Sequence, residues 1–362
     1  MYSTDQIGTL LQFLAGTGAH LRLFDMGRRI VKITRDHFLS FERNQLPYPA
    51  PLNRQAWLAL LFQDRKANRE PFVWFLRFPL DEQAKLNQAA RDDFMHRLVE
   101  HVGSDLSGRD HAGQIATALE GNPYGFKPRD DRLAIFHARI SRLLKKPASR
   151  YFEHALAYFR GDLGWDQWSF VGYQGIADIA ARLEDEGHER MLIEALPQLP
   201  IAPMEAICHC LENEKVSVKL ANALLSLTQN QLQREHPSTG VIAAAVRGVS
   251  RSRSVTLRQQ LLRDVLASPV AENTTVLAAI SGRAWESLSE NSLATAFLER
   301  LACNNEGQPF FDRCLADLLF IPGMREPLLK VLRTPERSAT LAIAVGNFFQ
   351  TLGSGGSTPS LQ

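Results

Sequence analysis

From about residue 130 onward, apolar residues recur at three- and four-residue spacing in segment after segment, the signature of amphipathic helices with one buried stripe. The spacing predicts helices over 131–145, 148–160, 167–184, 188–196, 203–212, 217–229, 238–249, 256–267, 273–288, 291–301, 309–320, 324–332 and 336–352. Gly, Pro, Asn or Ser separates each from the next, and strand-like alternation is missing from this stretch. Runs such as Val241 to Val246, with three successive alanines, let neighbouring helices approach closely. Paired helices would repeat every ~30–40 residues, the period of HEAT-like arrays. No signature string recurs, so an irregular helical bundle is the alternative.

Before residue 105 the pattern differs. A short helix is expected over 4–14, capped by Ser3 or Thr4 and ended by Gly16 and Gly18. Two alternating runs, 20–24 and 29–33, flank Asp25-Met26-Gly27 as a tight turn. Two more strands, 56–63 and 72–78, are dense in aromatic and aliphatic residues and joined by a polar loop over 64–71. A long helix over 82–102 follows, with Asp81 as its cap and Gly103 as its stop. The organisation expected is therefore a small α+β domain with an antiparallel sheet over 1–105 and a linker or structured loop over 106–129. A mostly α, repeat-like domain over 130–352 and a disordered tail over 353–362 complete it.

Composition is that of an ordinary globular protein, 45% hydrophobic and 22% charged, so a sizeable core is affordable and wholesale disorder is excluded. The 41 basic and 39 acidic residues leave +2, no global field for nucleic acid or an anionic membrane. No apolar run approaches the ~20 residues of a membrane span. The first residues lack an export signal, so the expected location is cytoplasmic and the four cysteines are expected as free, buried thiols.

Candidate chemistry is sparse. Cys208-His209-Cys210 has zinc-type ligands, but residues two apart on a helix point about 200° apart, so core packing is expected and no metal or cofactor is assigned. Cys303 and Cys314 receive the same core reading. Asp92, His96 and Glu100 share a helix face beside His101, the one group nominated for an enzyme reading. No nucleophile accompanies them, and a solvated face is the expectation; no catalytic residue is named. Arg247, Arg251, Arg253 and Arg258, continuing to Arg263, form a run of five arginines without an acid. It is either a solvated turn or a surface for phosphates or an acidic partner. A weaker basic cluster spans Arg139 to Arg150, and a polyanion site gains weight if both share a face. Trp165 and Trp168, with Tyr151, Phe152, Tyr158, Phe159, Phe170 and Tyr173, form the densest aromatic zone, read as core or as a peptide groove.

The strings Leu21 to Ile33, with Phe24 to Arg29 inside it, Asn122 to Pro128 and Gln174 to Asp178 resemble a family of proteobacterial proteins known only as a domain of unknown function. The resemblance covers nearly the whole chain and implies a bacterial protein with no assigned activity. The functional expectation is a non-enzymatic interaction or scaffold protein with an unidentified protein partner, bound through the helical array. Nucleic-acid binding through the same arginines is the alternative, and an enzyme with a site between the two domains is third. No membrane partner is expected.

Overall fold

The computed structural model describes residues 8–15, 19–63, 71–102, 117 and 119–354. The expected helix start at Ser3 or Thr4, the stops at Gly16, Gly18 and Gly103, the loop over 64–70 and the tail beyond 354 lie outside these residues. The chain divides into two compact units, one reaching Arg132 and including Phe320–Pro322, the other holding Leu133–Leu319 and the residues from Gly323.

The first unit is a four-stranded antiparallel sheet in the order β2-β1-β3-β4, with β1 His20–Asp25, β2 Val31–Ile33, β3 Gln55–Gln63 and β4 Phe72–Pro79. Leu23 faces Leu60, and Leu60 faces Trp74, so the period-two pattern puts Leu58, Leu60, Trp74 and Leu76 on one face. That face is buried with residues of α1 (Leu10–Ala15), α2 (Arg35–Glu42) and α3 (Gln88–Val102), notably Leu10, Phe38, Phe41, Phe94 and Leu98. Helix α2 had no sequence expectation, although Thr34 caps it by accepting from the His37 N–H.

Helix α3 begins six residues later than its apolar spacing suggests. The Asp81 carboxylate accepts from the Gln83 and Lys85 N–H groups, both at 2.9 Å, and so builds a turn instead of a helix cap. Ala84 sits at φ 58° inside that turn and Leu80 bridges to Leu86, leaving Asn87 to cap the helix through the Ala90 N–H.

The end of the expected linker belongs to the sheet. Arg77 N donates to the Tyr124 carbonyl and Phe126 N to that of Phe75, so Tyr124 to Phe126 cover the outer edge of β4. Tyr124 stacks on Phe78 and bonds Asp93, while Phe126 packs edge-on against Trp57. The Asp25 loop is equally constrained. Asp25, 1% exposed, accepts from the Gly27 N–H at 2.7 Å; Arg28 donates to Pro51 O, and Arg132 to the Met26 and Gly27 carbonyls. Burial outweighs these donors and charges and pushes the Asp25 pKa up to about 6.

The second unit is helical: α4 Asp130–Leu143, α5 Phe152–Phe159, α6 Tyr173–Ala181, α7 His188–Ala195, α8 Ile201–Leu211, α9 Val218–Leu232 and α10 Thr239–Val249. It continues with α11 Val255–Ala267, α12 Thr274–Arg283, α13 Asn291–Ala302, α14 Gln308–Phe320, α15 Arg325–Leu332 and α16 Ala339–Ser354. Helices pack against those two steps along the chain: α6 on α8, α8 on α10 and α10 on α12 in one row, α7 on α9, α9 on α11, α11 on α13 and α13 on α15 in the other.

Two predicted helices are each broken into two pieces. Residues 167–184 become a 3₁₀ turn, Trp165–Phe170, then α6, with Gly172 between. Residues 273–288 become α12 and the 3₁₀ turn Trp285–Ser289, which buries Trp285. Gly353 and Ser354, expected in the tail, close α16. At Gly175 a Cβ would lie 2.4 Å from the Tyr151 carbonyl oxygen and 2.8 Å from Ala155 Cβ, so only glycine lets α6 seat on α5. Nearby, buried Asp178 accepts from the Ser149 N–H and pairs with Arg182 at 2.8 Å.

Two outcomes follow. Gly175→Ala should destabilise the chain by about 3 kcal/mol in urea unfolding, because the carbonyl it meets is backbone. For Asp25, the folded pKa of about 6 exceeds the usual 3.8, so its contribution is full below the lower value and is lost as pH rises through the upper. Asp25→Asn should therefore remove a fall in stability of about 3 kcal/mol between those values, read from urea midpoints across that pH range.

Candidate functional site

The run of arginines finds its acids in the turns at and beyond the ends of other helices. Glu212, immediately after α8, has no exposed surface, and its carboxylate accepts from Arg247 Nη1 on α10 at 3.0 Å and Arg283 Nε on α12 at 2.7 Å. His209 Nε2 lies 3.6 Å away, and its Nδ1 is 3.3 Å from the Tyr173 hydroxyl. One carboxylate thus ties three successive helices of a row. The next carbonyl, Asn213 O, accepts from Arg251 Nη1 at 2.7 Å and also from Arg139, which pairs with Glu214 as well. Burial pushes the Glu214 carboxyl up, against the pull of Arg139 and Arg251. The two basic clusters therefore meet at one carbonyl oxygen, through Arg139 and Arg251.

The remaining nominated arginines have partners elsewhere. Arg253 pairs with Glu184 at 2.7 Å on open surface, and Arg258 donates to Ser287 Oγ at 2.9 Å and to Ser250 O. Arg263, last of the run, pairs with Glu290 at 2.9 Å.

The aromatic zone divides into core and surface. Tyr158 and Phe159 are buried, and the Tyr158 hydroxyl donates to the carbonyl of Trp165. Trp165 is half-buried, edge-on to Tyr158 and packed on Gly161, whose φ of 83° lets the chain turn beneath it. Trp168 is 41% exposed, Phe170 72% and Tyr151 42%; Tyr151 packs on Gly172, two residues past Phe170.

A second surface feature lies between α15 and α16, a groove with Leu329, Val345 and Phe349 among its apolar lining and Arg325, Arg333 and Arg337 along it. Sequence reasoning passed over these arginines, although the charge-free stretch from Ala339 to Ser354 next to a basic one was a usable signal.

A family model described as a protein of unknown function (DUF3549) matches residues 5–349. The chain belongs to the DUF3549 family. Neither curated proteins nor solved structures gave a match.

The other nominated groups of this DUF3549 chain lie on α3, on α8, and at α13 and α14. Asp92, His96 and Glu100 are each about two thirds exposed on α3. Cys208 and Cys210 are buried; burial pushes the Cys208 thiol up to about 12 and raises Cys210 further. His209, between them, points to Tyr173 and Glu212 instead. Among the described residues no three His, Cys, Asp or Glu side chains are placed to hold a metal. Cys303 departs from its core expectation: it caps the end of α13 and is exposed, while Cys314 is half-buried beside Ser281.

Glu212→Gln leaves Arg247 and Arg283 around an uncharged amide and should cost about 3 kcal/mol in urea unfolding. Arg253→Ala, which breaks an exposed pair, should change stability by less than about 1 kcal/mol in the same assay.

Proposed function

We propose that the helical unit of this DUF3549 protein is a HEAT-like array serving as a non-enzymatic interaction surface for a protein partner. The observation that carries this reading is the aromatic surface at the 3₁₀ turn, where Trp168 and Phe170 stand 41% and 72% exposed. Aromatic side chains with few rotatable bonds are the residues that anchor interfaces, and folding alone gives no reason to leave them wet. Packing of helices against those two steps along the chain, from α6 to α13, supports an array that grows by addition and presents a long surface. Exposed Arg253 fits electrostatic steering, whereas Arg247, Arg251 and Arg258 fit a role in holding helices together. Buried thiols at Cys208 and Cys210 suit a reducing compartment such as the cytoplasm of a bacterium.

Nucleic-acid binding is the second reading, for which Arg253, 55% exposed, is the nominated cation best placed to meet a phosphate. Full-length tagged protein and its Trp168→Ala/Phe170→Ala variant should be used for affinity capture from lysate at low salt, with and without nuclease. The expected result is a stoichiometric protein that survives nuclease with the parent chain and is missing from the variant. Capture lost on nuclease treatment, and weakening steeply between ~50 and ~200 mM salt, would move the assignment to the second reading. Equal capture by parent and variant would overturn the aromatic site. Both substitutions lie on exposed side chains, so the variant should melt within a few degrees of the parent.

A further inference from the structure

We infer that the groove between α15 and α16 docks an acidic amphipathic helix of a partner protein. This deepens the interaction-array reading, on which it rests, by naming a second contact and the chemistry it selects. Helix α16 carries no charged residue from Ala339 to Ser354. Leu341, Ala344, Val345 and Phe348 account for its buried stripe, yet Ile343 is 66% and Phe349 47% exposed. A helix apolar on more than its core face ordinarily has a second neighbour. The groove beside it holds about 620 Å³, and Phe349 forms part of it.

Charge decides what kind of neighbour fits. Arg325, Arg333 and Arg337 line this groove, and Lys330 and Glu326 lie on the adjoining surface of α15, giving four cations against one anion. Arg337 is anchored by donating to the Leu332 carbonyl, which fixes one cation at the end of α15. A polyanion such as nucleic acid would match the cations but leave Leu329 and Phe349 without apolar partners. A second copy of this chain, meeting face to face, would bring the same arginines against one another. A helix with an apolar stripe flanked by carboxylates satisfies both the floor and the rim, the arrangement of helix-in-groove recognition.

The test uses the full chain and fluorescein-labelled peptides of ~18 residues, long enough for about five helical turns. One carries a leucine stripe flanked by glutamates, and the other has every glutamate replaced by lysine. Anisotropy titrations at ~50 and ~200 mM salt compare them. The glutamate peptide should bind at least about tenfold tighter than the lysine peptide, and Arg325→Glu/Arg333→Glu should reverse that order. Phe349→Ser should weaken the glutamate peptide by about tenfold at both salt concentrations, as loss of an apolar anchor predicts.

Equal binding of the two peptides, or no response to the charge-reversed variant, would overturn the inference. A concentration-dependent dimer in light scattering that Phe349→Ser abolishes would overturn it too, by giving the groove to a second copy. Trp168→Ala/Phe170→Ala should leave peptide binding unchanged. If the peptides fail while that variant still loses its lysate partner, only the groove assignment falls; if the reversal holds and capture does not, only the aromatic assignment falls.

Discussion

Short helices cannot stand alone in water, and that constraint organises the second unit. Its helices run from 8 to 16 residues, near or below the length at which isolated helices are marginal, so each depends on burying an apolar stripe against neighbours. The neighbours are mostly those two steps along the chain, and close approach requires small residues at the contacts. Ala243 to Ala245 are buried on α10, and Gly248 lies where a Cβ would meet Cys208 Sγ and Leu224 at 3.1 Å. Once α8, α10 and α12 lie this close, the polar groups at their ends lose water and must bond one another. Buried Glu212 between Arg247 and Arg283 is that consequence: an ion-pair network imposed by apolar packing.

Most of this architecture was legible in the apolar spacing. From α7 to α15, with α12 the exception, the predicted and observed helices agree to within a few residues, because each has one strong stripe and a clear breaker. The failures have local causes. At 81–87 a side-chain-built turn competed with helix, and at 165–172 aromatic residues with helical spacing adopted a 3₁₀ turn that faces outward. Helix α2 has a threonine cap but only two turns, too short for periodicity to register.

The site residues were less legible, since side-chain partners come from far along the chain. Arg247 and Arg283 reach Glu212 across 35 and 71 residues, so a run without acids looked uncompensated although its acids were waiting in turns far along the chain. Burial of Cys208 and Cys210 was expected because free thiols behave as small hydrophobes, whereas Cys303 was misplaced because the end of α13, not its stripe, decides its exposure. The three strings that resemble the family all serve backbone geometry: the Asp25 loop, the strip along β4 and the glycine seat of α6. They shape this chain's backbone and name no reaction.

The strip formed by Tyr124 to Phe126 also decides where the molecule can be cut. Composition shifts after residue 105, and a fragment designed on that shift would end before the residues that occupy the outer edge of β4. Phe75 and Arg77 would then offer unsatisfied backbone groups on an aromatic-rich strand, a template for pairing with another molecule. A soluble version of the first unit has to run past Phe126 to Arg132, so that the strand keeps its own chain as a cover and the Asp25 loop keeps its arginine.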